Sequence, residues 1–161
     1  MTRIEILVTG PDLIERGIRG IEPVLEEILK AAKNEVHMMV YMFTAGALHI
    51  LDLIETAAEK GVKIVMVVNN LQLQEVKIVS RLRHIGQKFP HVKIFDFTDP
   101  EKRQLHAKII VVDRRKAVVG SANLSWGGMY SNYEIGLLIE GKTAWKLAEI
   151  IDFLSSKSLK I

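Results

Sequence analysis

The stretch LHAKIIVVDRRKAVVGSANLSWGGMYSNYEIGLLIE, residues 105–140, carries two strand patterns joined by a charged turn. Its first part, LHAKIIVV, has the apolar density of a strand, and side chains at i and i+2 of a strand leave from one face. His106 and Lys108 are therefore expected to point together, an imidazole beside a fixed cation. The second part delivers Ser121 and Asn123, two hydrogen-bonding side chains that follow Gly120. Asp113 sits five residues beyond Lys108 and need not share its face. It suits the turn at 113–116, where a short carboxylate can satisfy backbone or hydroxyl groups.

Upstream, strand and helix periods alternate. Residues 3–8 (RIEILV) alternate as a short strand, Gly10, Pro11 and Gly17 mark a loop, and Ile21, Val24, Leu25, Ile28 and Leu29 repeat at helical spacing within 20–33. Residues 36–43 (VHMMVYMF) form the nearly unbroken apolar run of a strand covered on both faces. Helices are expected over 48–58, closed by Gly61, and over 73–85, with strands at 62–68 and 91–97 and a polar loop at 98–104. Downstream, Trp145, Leu147, Ala148, Ile151 and Leu154 predict a closing helix. The alternation implies an α/β fold: a mixed, largely parallel sheet flanked by helices on both faces, in one domain over 1–161.

A chain of 161 residues with 48% hydrophobic composition can bury a substantial core without staples. The absence of cysteine excludes disulfides, thiolate catalysis and cysteine-containing zinc sites. No stretch has the pattern of a signal peptide or a membrane span, so a cytoplasmic protein without a membrane anchor is expected. The net charge of +3 is compatible with a polyanionic partner. Arg81, Arg83, His84 and Lys88 read as solvated surface, whereas Arg103, Arg114, Arg115 and Lys116 are candidates for phosphate contact. Trp126, directly after the Ser121 to Asn123 segment, is a candidate for stacking on a base.

Written as a pattern, the stretch is His106-x-Lys108, four residues, Asp113, six residues, Gly120-Ser121-x-Asn123, and then Asn132-x-Glu134. This resembles the signature of the phospholipase D superfamily, and the likeness extends to VYMFT at 40–44 and the helix after it. The resemblance implies a metal-independent phosphodiesterase that uses no cofactor. His106 would attack phosphorus to give a phosphohistidine that water then opens. Lys108, Asn123 and Ser121 would donate to the phosphoryl oxygens, and Glu134 would accept from the other ring nitrogen of His106. Asp113, Gly120 and Asn132 are assigned structural roles. Many family members carry glycine in the turn that Arg114 and Arg115 occupy here.

Such chemistry also needs an acid for the leaving oxygen. His91-Val92-Lys93 is the other H-x-K, but Thr98 stands where aspartate is required, and His37, His49 and His84 lack any matching context. A homodimer whose twofold axis brings two copies of His106 to one phosphate resolves the shortage, as in single-motif nucleases of the family. The resemblance thus implies an endonuclease of relaxed sequence preference acting on DNA or RNA. A phospholipase or phosphatidyl transferase shares the same chemistry and is the alternative. A non-catalytic binding or regulatory module ranks last, because every motif position is intact.

Overall fold

The computed structural model describes residues 1–161. Nine strands form one sheet: β1 (Arg3–Thr9), β2 (Arg19–Gly20), β3 (Glu35–Val40), β4 (Lys63–Asn69), β5 (Val92–Phe97), β6 (Ile109–Val112), β7 (Lys116–Gly120), β8 (Glu134–Glu140) and β9 (Leu159–Lys160). Five helices accompany them: α1 (Pro11–Ile14), α2 (Ile21–Lys30), α3 (Leu48–Glu59), α4 (Val76–Lys88) and α5 (Lys142–Ser156). The strand order is β2-β1-β8-β7-β6-β3-β4-β5-β9. Parallel pairing joins β1 to β2 and carries β3 through β4 to β5, as crossover helices require. The stretch at 105–140 supplies β6, β7 and β8, which pair antiparallel with one another and connect the two parallel regions. This is the mixed sheet expected from the alternation, with β6, β8 and β9 running against the other six strands.

Helices cover both faces because their apolar stripes have nowhere else to go. On one face, Val24, Leu25 and Ile28 of α2, Ile50, Leu51 and Ile54 of α3, and Ile78 and Leu82 of α4 pack with Met38, Ile64, Met66 and Ile110 of the sheet. On the other, Ala144, Ala148 and Ile151 of α5 lie against Met39, Val67, Ile109 and Val111. Small residues on α5 let it approach β3, β4 and β6 closely. Ion pairs from Arg81 to Asp52 (2.8 Å) and Glu55 (2.6 Å), and from Lys88 to Glu55 (3.0 Å), tie α4 to α3. No helix is long and apolar enough to cross a membrane.

Several boundaries differ from the periodicity. The loop expected after β1 contains the short α1, with Pro11 in its first turn. Strand β3 ends at Val40 rather than 43, because the backbone at Tyr41 and Phe43 bonds to the Gln74 side chain and Phe43 forms an isolated bridge with Leu124. Helix α4 starts at Val76 rather than 73, since Leu71–Leu73 is a 3-10 turn capped by the Asn70 side chain and Gln74 is extended. Strand β6 starts at Ile109, which leaves His106 and Lys108 in the irregular segment before it.

Asp113 has the structural role expected of it. Its Oδ1 accepts the backbone N–H of Asn34 (2.7 Å) and Glu35 (3.0 Å), and its Oδ2 that of Lys33 (3.0 Å). The turn therefore holds the start of β3. Asp113 and Arg114 both adopt positive φ, 52° and 53°, conformations usually left to glycine. Arg114 tolerates this position while its guanidinium binds Glu35 (2.7 Å) and Asp152 (2.6 Å).

Candidate active site

The carboxyl ends of β3, β4 and β7 and the starts of β6 and β8 meet at one end of the sheet. In open α/β sheets, crevices at such strand ends are where ligands bind. The segment before β6 brings His106 and Lys108 there, the exit of β7 brings Ser121 and Asn123, and the start of β8 brings Glu134. Five residues far apart along the chain are thus gathered at one end by antiparallel register.

His106 is exposed, and its ring lies against Tyr41, centroids 4.2 Å apart. Lys108 Nζ donates to the His106 carbonyl (2.7 Å) and approaches His106 Nδ1 at 3.2 Å, while standing 4.9 Å from the Tyr41 ring centroid. The expected pairing of imidazole and cation is therefore made, although by side-chain reach rather than within a regular strand. Burial pushes the Lys108 ammonium below the ordinary lysine value, and the Glu134 carboxylate opposes that shift.

Ser121 Oγ donates to Glu134 Oε2 and accepts the Ile135 N–H at 3.2 Å. Asn132 Nδ2 donates to the other carboxylate oxygen at 3.1 Å. Asn132 thereby orients Glu134, which in turn orients Ser121. The contact expected between Glu134 and His106 is not made within one chain, where Nδ1 of His106 faces Lys108 instead. Asn123 keeps a buried Oδ1 without a hydrogen-bond partner.

Two glycines shape this end. At Gly120 a Cβ would lie 2.5 Å from the Ile135 carbonyl oxygen and 2.6 Å from Gly136 Cα, so close approach of β7 to β8 requires glycine. At Gly128 a Cβ would stand 2.0 Å from the Asn123 carbonyl oxygen, so the loop can fold back under Asn123 only without a side chain. That loop presents Trp126, 61% exposed, packed on Tyr130 with ring centroids 4.6 Å apart.

The basic residues divide. Arg103 lies in the loop leading to His106, paired with Asp99 (3.1 Å) and Glu101 (3.6 Å). Arg114, Arg115 and Lys116, expected as phosphate contacts, stand instead at the opposite end of the β6–β7 hairpin. Lys108 and the turn at 113–115 are separated by the four residues of β6, roughly 15 Å of extended chain. Arg114 is occupied by Glu35 and Asp152, and Lys116 pairs with Glu140 at 3.2 Å. Three of the other four histidines have local partners: His37 bonds Asp152 (2.9 Å), His49 bonds Glu22 (3.0 Å), and His91 bonds the Ala58 carbonyl (2.8 Å), while His84 is exposed on α4.

Tyr41 was not singled out by sequence. A signal existed, because it is a polar-tipped aromatic at the carboxyl end of the buried run at 36–43, where a parallel strand delivers residues to a site. Tyr130 likewise carried only the mark of lying in the motif's downstream loop.

Known proteins resemble this chain in sequence and in fold. The chain is 30% identical over 140 residues to DISARM protein DrmC of Bacillus paralicheniformis, covering 86% of this chain and 58% of that protein. It is 28% identical over 159 residues to cardiolipin synthase A of Buchnera aphidicola, covering 97% of this chain and 31% of that protein. It therefore spans less than two thirds of either relative. Among solved structures, the phospholipase D family member Nuc from Salmonella typhimurium superposes with a TM-score of 0.81 at 18% identity, over 100% of this chain and 99% of that one. Residues 25–152 match the family described as "Cardiolipin synthase, PLD-like domain", and by that match the chain belongs to the phospholipase D superfamily.

Proposed function

We infer that the chain is a metal-independent phosphodiesterase that cleaves nucleic acid through a phosphohistidine, in a site completed by a second copy. The observation that carries this is the convergence of His106, Lys108, Ser121, Asn123 and Glu134 on one sheet end. As a phosphodiester arrives, Lys108 exchanges its approach to His106 Nδ1 for bonds to phosphoryl oxygens, the ring proton passes through solvent from Nε2 to the released Nδ1, and Nε2 attacks. Lys108 and Asn123 donate to the oxygens on which charge redistributes, and the one hydroxyl proton of Ser121 can join them only by leaving Glu134. The P–O bond to the leaving group breaks, and the partner subunit's His106 supplies the proton. Water then opens the P–N bond, with that second imidazole taking its proton back. Glu134 holds Ser121 in place and favours the charged form of Lys108.

Two features support the partner and the substrate. Ile4, Ile6 and Ile135 lie on one face of β1 and β8, each about 60% exposed although Ile139 on the same face packs with α5, and this face begins beside Glu134 and Ser121. An apolar sheet face bordering an incomplete site suits a second copy. The exposed Trp126–Tyr130 pair follows Asn123 directly and offers a stacking surface for an unpaired base.

A second reading has its own support. The matched family is described by cardiolipin synthase, and cardiolipin synthase A is among the relatives, so a phosphatidyl group could be the one carried by His106, with an alcohol in place of water.

The decisive experiment incubates the protein with plasmid, single-stranded DNA, RNA and phosphatidylglycerol vesicles in excess EDTA, beside His106→Ala. Polynucleotide cleavage that survives EDTA and falls at least ~10³-fold in the variant is expected. Lipid turnover without nuclease activity transfers the assignment to the second reading. Loss of wild-type cleavage in EDTA overturns the metal-free mechanism.

A further inference from the structure

Asn69 and Gln74 are two of the four buried polar residues in the chain, 3% and 8% exposed. Neither belongs to the motif. Gln74 Nε2 donates to the carbonyls of Asn69 (2.7 Å) and Tyr41 (3.0 Å), and its Oε1 accepts the Phe43 N–H (2.9 Å). Asn69 Oδ1 accepts the Leu105 N–H (2.9 Å), and its Nδ2 donates to Gln104 Oε1 (3.0 Å). The two amides form one relay across the ends of β3 and β4 to the segment before β6.

What this relay grips is specific. On one side it holds the backbone of Tyr41, whose ring lies against His106. On the other it holds Leu105, the residue immediately before His106, in a segment with no regular secondary structure. A buried amide is favourable only when its donors and acceptor are met, and an apolar side chain of equal volume would fill the same space without that demand. Gln74 bonds the backbone of Tyr41 and Phe43, and Asn69 bonds that of Leu105, so the two amides hold the segments that carry Tyr41 and His106.

We propose that Asn69 and Gln74 are positioning residues that fix the His106 ring against Tyr41 and toward the phosphate. The proposal rests on the role of His106 given above. Displacing a reacting group by about 1 Å can cost on the order of 10²-fold in rate, so the relay acts on turnover rather than on substrate affinity.

The test compares Asn69→Leu, which keeps the branching of the side chain and loses every bond, with Asn69→Asp, which keeps the acceptor for Leu105 while the Gln104 amide turns to donate. In Asn69→Leu, kcat should fall ~10–100-fold with KM changed less than ~3-fold. The His106 ring resonances in ¹⁵N-histidine spectra should move while far-ultraviolet circular dichroism stays native. Asn69→Asp should return kcat to within ~5-fold of wild type, and Gln74→Leu should resemble Asn69→Leu. Unchanged kcat and unchanged His106 resonances in a folded Asn69→Leu overturn the proposal. If the leucine variants do not fold, hydrogen exchange on the unaltered protein decides: a slowly exchanging Leu105 amide supports the relay, and one exchanging at the rate of open chain overturns it. If the wild type cleaves no phosphodiester, the proposed function fails, while the His106 resonances and Leu105 exchange still report on positioning.

Discussion

At one end of the β6–β7 hairpin Arg114 is bound by Glu35 and Asp152, and all three acceptor positions that Asp113 uses are filled by backbone N–H groups. At the other end His106 is exposed, Lys108 is held below its ordinary protonation range by burial, and Asn123 has an orphan oxygen. The same two strands thus connect an end whose Asp113 and Arg114 are saturated by internal partners to an end whose His106 and Lys108 stand partly open. Charged groups whose partners are all internal contribute to folding, while groups left short of partners are available to a ligand. By this criterion Arg114 and Lys116 leave the list of substrate contacts despite their charge.

Substituting the two cations separates these roles most sharply. Lys108→Met should lower kcat/KM by about 10²–10³-fold, since a donor aimed at developing charge is lost, with little change in melting temperature. Arg114→Met should do the reverse, leaving the rate per folded molecule intact while lowering stability. A plasmid-cleavage assay run beside thermal melts checks both. A rate loss in Arg114→Met matching that of Lys108→Met would erase the distinction between the two ends.

The saturated end yields the next effect. Asp113→Ala removes the acceptor of three N–H groups and places alanine at positive φ, so a loss of about 3 kcal/mol is expected in denaturant titration. Asp113→Asn should lose less, because Oδ1 alone serves Asn34 and Glu35 and asparagine tolerates this backbone region. Equal losses in the two variants would mean that the carboxylate charge, rather than the acceptor geometry, holds the turn.

Much of this contrast was legible before the fold was known. The spacing from His106 to Glu134 identified the unsaturated end, and the position of Asp113 identified its structural use, because local pattern determines both. What the sequence did not disclose was set by tertiary register. That Arg114 and Arg115 point away from the site follows from the length of β6, and helical or strand period carries no information about which end of a strand holds the chemistry. The early end of β3 traces to one side chain, Gln74, whose three bonds reach residues more than thirty positions away as well as Asn69 close by. Glutamine at 74 looks like any polar loop residue until its burial is seen.

The smallest effect concerns Lys108 and tests whether its protonation matters at the unsaturated end. Burial lowers its pKa from 10.5, and the negative charge of Glu134 raises it. If the ammonium is needed to hold the phosphate, the alkaline limb of the rate profile should lie below the ordinary lysine value. Glu134→Gln removes the stabilising charge, so the ammonium loses its proton more readily and the limb should move to still lower pH, whatever happens to the maximal rate. Denaturation must be monitored across the same range, since a limb caused by unfolding would track the melting curve instead. A limb that stays in place in Glu134→Gln would show that another group titrates there, and would remove the electrostatic link between Glu134 and Lys108 from the account of the site.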